Sequence, residues 1–188
     1  MTTFRASRFA VAGALLISGF AAFAVGQWEL QPKGSNVSCI AKQAGAEFTG
    51  KFEKFTADIK FDPKDLASSR FDVKIDMNSV NSQDQERDDT LKSAELFDVK
   101  KFPTATYVAD KFTDKGSGKY VGNGKLTLRN QTRPVPIEFT FKTSPTGGTL
   151  QGSAALKRND FGVGQGEWKD TSTVADEVKV RFTLLLKK

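Results

Sequence analysis

The sequence predicts an all-β fold, an eight-stranded antiparallel barrel with one short helical insertion between strands three and four. Three observations carry that expectation. Apolar and polar residues alternate with period two in segment after segment. Turn-forming clusters such as DPKDLASS (62–69), DKGSGK (114–119) and SPTGG (144–148) separate those segments at short spacing. One internal stretch, around residues 83–93, breaks the alternation with helical spacing and an acidic start. A barrel is favoured over a two-sheet sandwich because the strands are long and their apolar face is heavy in phenylalanine, 16 in all. Closure leaves no exposed sheet edge, and eight strands enclose a space that side chains just fill or that holds one small ligand.

The amino-terminal segment stands apart from this pattern. Arg5 and Arg8 precede an uncharged run from Phe9 to Val25, and Ala22-Phe23-Ala24 has the small-x-small form that a signal peptidase accepts. Residues 1–24 therefore read as an export signal cut after Ala24, and residues 25–188 as one barrel domain. An uncleaved anchor is the rival reading, because the apolar run is near the lower limit for spanning a bilayer. There is no lipid-attachment cysteine at the junction, and the two arginines are not adjacent as a twin-arginine signal requires.

The first strand runs from Trp28 to Ala41, and Glu47 to Phe52 continues into the clean alternation of Phe55, Ala57, Ile59 and Phe61. Phe71, Val73, Ile75 and Met77 mark the third strand, each separated by a charged residue. After the helical insertion come Thr104 to Phe112, Tyr120 to Arg129, the stripe Val135, Ile137, Phe139 and Phe141, then Thr149 to Lys157. Val178, Val180, Phe182, Leu184 and Leu186 complete the set, with Leu185 breaking the rule by being apolar on the outer face.

In the insertion, Ser82 and Gln85 have capping-box spacing, and Asp84 and Glu86 fall in the favourable first turn. A helix from about Gln83 to Ser93 is expected, with Asp88 and Lys92 spaced for a surface pair and Leu91, Ala94 and Phe97 forming a narrow apolar stripe. Phe102 precedes Pro103, which biases it toward extended backbone and restarts the sheet. At a barrel's end such an insertion is a plug or a lid.

Composition narrows the chemistry. The formal charge is +6 with no histidine, and the lysines are interleaved with acids rather than clustered, which argues against a nucleic-acid partner. The absence of histidine removes the usual general base, the usual zinc ligand and the common axial haem ligand. Cys39 is the only cysteine, so no internal disulfide forms; it lies on the apolar face of Val37 and Ala41 and reads as a buried, inert thiol. No catalytic residue, metal ligand or cofactor is assigned. Asp-Phe-Gly in NDFGVG lacks the rest of a kinase's motifs, GVGQGE lacks the third glycine of a dinucleotide fingerprint, and DQERDD lacks a calcium loop's glycine and terminal glutamate.

RDDTLKSAELFDVKKFP (87–103) resembles the R-D-x-H-L-x-S-x-x-F-F-D-V-x-x-F-P pattern of the YceI-like proteins, exported lipocalin-like barrels that bind polyisoprenoid lipids. FTGKFEKFTADIKFDPKDLASSRFDVKIDMNSVNS (48–82), GKLTLRNQTRPVPIEF (124–139) and RNDFGVG (158–164) are similar to further signatures of that family, in order along nearly the whole chain after the leader. Gln43 and Thr90 stand where many relatives carry histidine, so no role resting on an imidazole carries over.

The resemblance implies a periplasmic carrier or sequestering protein for a long isoprenoid, a polyprenyl phosphate or a quinone, with transient contact to the inner membrane and no catalysis. Phe55, Ile59, Phe71, Val73, Ile75, Met77, Ile137, Phe139, Phe141, Val180, Phe182 and Leu184 are the candidate ligand-binding residues, because they occupy the apolar faces of the clearest strands. If the ligand carries phosphate, Arg129 and Arg133 flank a turn from which they could reach it, the alternative being that both are simply solvated. Arg87 and Asp88 are expected to pin the helix to the barrel as an ion pair. Two other functions stay open at this point: a stress-related or interaction domain whose barrel is filled by its own side chains, and an enzyme acting on an apolar substrate.

Overall fold

Among the described residues, ten strand segments join into eight staves that close on themselves. The computed structural model describes residues 26–188, so the export signal expected over residues 1–24 lies outside the described residues. The segments are β1 (Gln27–Gln43), β2 (Ala46–Phe52), β3 (Phe55–Lys60), β4 (Arg70–Asp76), β5 (Val80–Asn81), β6 (Thr104–Gly116), β7 (Lys119–Leu128), β8 (Gln131–Ser144), β9 (Gly147–Lys157) and β10 (Glu177–Lys187). Helix α1 (Gln85–Lys92) lies between β5 and β6.

All pairings are antiparallel. One side of β1 pairs with β2 at Val37–Gln43 and with β3 at Gln27–Trp28, so β2 and β3 are two halves of one broken stave. In the same way β4 pairs with β3 while β5 pairs with β2. The other side of β1 pairs with β10 from Glu29↔Lys187 to Ile40↔Lys179 and closes the ring. The helix therefore falls between the third and fourth staves, where the sequence places it.

Local chemistry explains the details. The β7–β8 connection is a two-residue turn, Arg129 at φ 48° and Asn130 at φ 60°, the left-handed pair that a tight hairpin needs. Leu185, apolar on the outer face, is covered: β1 bulges between Gln31 and Asn36, Gly34 packs against the Leu185 side chain, and Ser35 Oγ accepts from the Leu185 N–H at 2.9 Å.

The helix departs from expectation. Its N-cap is Asp84, whose side chain accepts from the Arg87 N–H at 3.1 Å, and it spans only Gln85–Lys92. The Ser82–Gln85 capping box does not form because Gln83 adopts φ 63° and turns the chain before the helix begins. Asp88 is buried and accepts from the Ser82 N–H at 2.8 Å, so it does not serve as a surface partner for Lys92. Ala94 and Phe97 lie beyond the helix's end; Phe97 is buried and Ala94 exposed, so the expected stripe is reduced to Leu91 and the turn that follows.

One end of the barrel is filled with rings. Phe61, fully buried, has Phe71, Phe112, Tyr120, Phe139 and Phe141 within 5.0–5.7 Å, centroid to centroid. Trp28 meets Phe141 edge-on at 5.2 Å and donates its indole N–H to the Phe61 carbonyl at 2.9 Å. Edge-to-face contacts of this kind add to the burial they accompany.

Candidate functional site

Above this aromatic floor the interior is open. A cavity of about 600 Å³ runs from the ring cluster toward the end that carries the β1–β2 hairpin, α1 and the loop before β10. That size is within the range of small-molecule sites, and the wall is predominantly apolar.

Nine of the twelve candidate residues line the cavity: Ile59 from β3, Phe71, Val73 and Ile75 from β4, Met77 from the turn after it, Ile137 from β8, and Val180, Phe182 and Leu184 from β10. The other three are elsewhere. Phe139 and Phe141 belong to the ring cluster, because the inward stripe of β8 descends from Val135 and Ile137 into the closed end. Phe55, the first residue after the break between β2 and β3, is half-buried against the core and off the wall.

The opposite wall comes from strands whose alternation is weaker in the sequence. Tyr107 of β6, Leu126 of β7, and Leu150, Ala154 and Leu156 of β9 all face the cavity. The Tyr107 hydroxyl has the Val135 and Gly122 carbonyls as acceptors at 3.1 and 3.2 Å, and burial raises its pKa well above the ordinary phenol value. Its ring end occupies the space where a side chain on Gly124 would lie, so glycine is required there. Cys39 also faces the cavity; burial pushes its thiol up to about 11.

Polar residues gather at the rim. Gln43, Asp84, Glu86, Arg87, Thr90 and Arg158 border the opening together with Phe48 and Trp168. Arg87 donates from Nη2 to Asp84 Oδ2 at 3.2 Å and from Nε to Ser82 Oγ at 3.1 Å, and its guanidinium lies 4.8 Å from the Phe48 ring centroid. The expected Arg87–Asp88 ion pair is thus replaced by Arg87–Asp84, because Asp88 is turned inward to Ser82.

Arg158 organises the loop ahead of β10. It is buried, and its guanidinium donates to the carbonyls of Val163, Trp168, Asp170, Val174 and Ala175 at 2.6–3.1 Å, with Asn159 Oδ1 at 3.3 Å. Burial lowers its pKa, an effect that nearby Asp176 and Asp170 oppose. Neither proposed phosphate-reaching arginine lies on the cavity wall. Arg129 donates to the Ala94 and Leu96 carbonyls and stacks 5.6 Å from Phe102, tying the segment after α1 to the β7–β8 turn. Arg133 is exposed and donates to the Thr132 carbonyl at 3.1 Å.

The YceI-like domain model matches residues 28–186. A UPF0312 protein of Vibrio parahaemolyticus is 32% identical over 167 residues, which is 84% of this chain and 86% of that protein. UPF0312 proteins of Vibrio cholerae are 37% identical over 120 residues, and the match spans 61% of this chain and 64% of theirs. Among solved structures, BcnA of Burkholderia cenocepacia superposes with a TM-score of 0.81 at 36% identity, over 84% of this chain and 99% of that one. A polyisoprenoid binding domain from Saccharophagus degradans, implicated in plant cell wall breakdown, superposes at 0.69 with 17% identity, over 87% and 99% of the two chains. That likeness shows a shared fold.

Proposed function

The chain belongs to the YceI-like family, and from that premise we propose that it is a binding protein that carries or sequesters a long apolar lipid of the isoprenoid class, without catalysis. The observation that carries the reading is the cavity: about 600 Å³, walled by aliphatic and aromatic side chains, floored by rings and open at one end. Burying an isoprenoid chain there gains about 25 cal/mol for each Å² of apolar surface removed from water, which needs no catalytic group. The Saccharophagus degradans neighbour, a polyisoprenoid binding domain by name, supports the same class of ligand.

The open interior favours this over a barrel filled by its own side chains. The rim and wall bring together no nucleophile with an adjacent base among the described residues, so binding is also favoured over catalysis on an apolar substrate. We further place the protein in the periplasm, exported by the segment 1–24 cut after Ala24, where a lipid carrier meets the inner membrane only transiently. The ligand is a quinone or a polyprenyl phosphate.

The reading is tested with the intrinsic fluorescence of Trp168, which lines the rim; the chain's other tryptophan, Trp28, packs in the ring cluster. In a Trp28→Phe variant, titration with a long-chain quinone is expected to quench Trp168 saturably at about one ligand per chain. An unsaturable or absent response counts against the reading.

A further inference from the structure

Three elements surround the cavity's mouth, and two of them are tied to each other. The β1–β2 hairpin and the loop before β10 exchange backbone bonds: the Ala44 N–H donates to the Thr173 carbonyl at 2.8 Å, and the Ala175 N–H to the Lys42 carbonyl at 3.0 Å. Arg158 fixes that loop from within. The segment after α1 is anchored as well. The Glu95 carbonyl accepts from the Gly164 and Gln165 N–H groups at 3.0 and 2.9 Å, and Arg129 holds the Ala94 and Leu96 carbonyls.

Helix α1 is the exception. Among the described residues, every hydrogen bond of residues 83–92 ends within residues 81–99. Asp84 caps the helix, Asp88 closes back on Ser82, and Thr90 closes back on Glu86. The two-residue β5, paired with β2, joins it to the sheet, and Leu91 is its one apolar side chain, packed against the core. Across the mouth it meets the hairpin through the Arg87 guanidinium, 4.8 Å from the Phe48 ring centroid. Arg87 Nε and Nη2 are bonded to Ser82 and Asp84 on the helix's own side, and Nη1 has no hydrogen-bond partner among the described residues. The cation therefore belongs to the helix and the ring to the hairpin.

We propose that α1 is a gate over the cavity and that the Arg87–Phe48 contact is its latch. The inference rests on the lipid-binding reading above for what passes the gate, while the movement itself does not depend on it. A unit whose hydrogen bonds are all local and whose apolar anchorage is one side chain opens before the packed strands around it do. Such units serve as lids over sites that must exclude water and still admit a ligand. A cation over an exposed ring shifts an equilibrium by about two- to five-fold, enough to favour the closed state and little enough to release it. Both partners of the latch come from the protein, so it forms whether the cavity is empty or filled. Its loss favours opening equally in the two states, so entry and exit speed up together and affinity stays the same. A contact with the ligand would behave differently, speeding exit alone.

The test has a kinetic arm and a distance arm. Entry and exit of a tetraprenyl benzoquinone are followed by stopped-flow quenching of Trp168 in the Trp28→Phe protein. Phe48→Leu, which keeps an apolar side chain and removes the ring, is expected to raise both rate constants about two- to five-fold with Kd nearly unchanged. In an Arg87→Met background Phe48→Leu is expected to add nothing, because the two residues act as one contact. For the distance arm, nitroxide labels are placed at Ala46→Cys on the hairpin and Asp89→Cys on α1, both exposed positions, in a Cys39→Ala background. Electron-electron resonance is expected to show a second, longer separation whose share rises about two- to five-fold in Phe48→Leu. A single short separation, the same with and without Phe48→Leu, overturns the gate. A weakened Kd with the entry rate unchanged makes Arg87 and Phe48 a ligand contact and overturns the latch. Absence of quinone binding overturns the lipid-binding reading, and the label separations then decide the gate by themselves.

Discussion

Arg158 donates from Nη1 to the backbone carbonyl of Trp168 at 2.6 Å, so a buried cation in the loop before β10 holds one wall of the cavity's mouth in place. Four further carbonyls converge on the same guanidinium. Replacing Arg158 with Met keeps the stem's bulk and leaves those carbonyls without a donor. At about 1–3 kcal/mol for an unsatisfied buried group, Arg158→Met is expected to cost at least about 3 kcal/mol. Urea melts give the magnitude, and hydrogen exchange should show the loss of protection concentrated between residues 158 and 176, with the strands of the barrel retained.

Phe61 touches five other rings and has no exposed surface. Phe61→Ala removes the centre of the floor, and the surrounding rings are held by separate staves that cannot all close on the gap. The expected loss is about 3–5 kcal/mol, read from the shift in urea midpoint at constant slope.

Cys39 gives a pH dependence with a definite sign. Burial raises its folded-state pKa from the ordinary thiol value of 9.0 to about 11. The folded chain therefore holds the proton more tightly than the unfolded one, the stabilisation is complete below pH 9.0, and it is lost as pH rises toward about 11. Between pH 9 and pH 10 the wild type is expected to lose about 1 kcal/mol more stability than Cys39→Ala, because one pKa unit corresponds to about 1.4 kcal/mol. Parallel slopes for the two proteins would contradict the assignment.

Ala154 faces the cavity from β9 and pairs with Val180 of β10. Ala154→Phe directs a ring into open space instead of packed core, so the usual cost of about 1–3 kcal/mol for overpacking is expected to be largely avoided. Its circular dichroism and urea midpoint should stay near the wild type while lipid loading falls sharply.

The number of staves, their antiparallel order and the place of the helix were legible because period-two alternation and turn clusters are local signals. Depth along a stave was not. Ile137 and Phe139 obey the same inward alternation, yet the first lines the cavity and the second fills the floor, and only the closure of the barrel separates them. Tyr107 and Ala154 line the wall from strands with weaker alternation, and the need for glycine at position 124 follows from a contact with Tyr107 made across two strands. Asp84 displaces Ser82 as the helix cap because Gln83 takes a left-handed backbone that glutamine rarely adopts. The role of Arg158 depends on carbonyls up to 17 residues away in a loop without periodicity.

Native mass spectrometry of the protein exported in bacterial cells, followed by solvent extraction of whatever accompanies it, reaches the central claim most directly. The account predicts a non-covalent adduct of an apolar lipid at one per chain, lost from Ala154→Phe. A bare protein mass, unchanged after polyprenyl alcohol, phosphate and quinone have each been added, would contradict it.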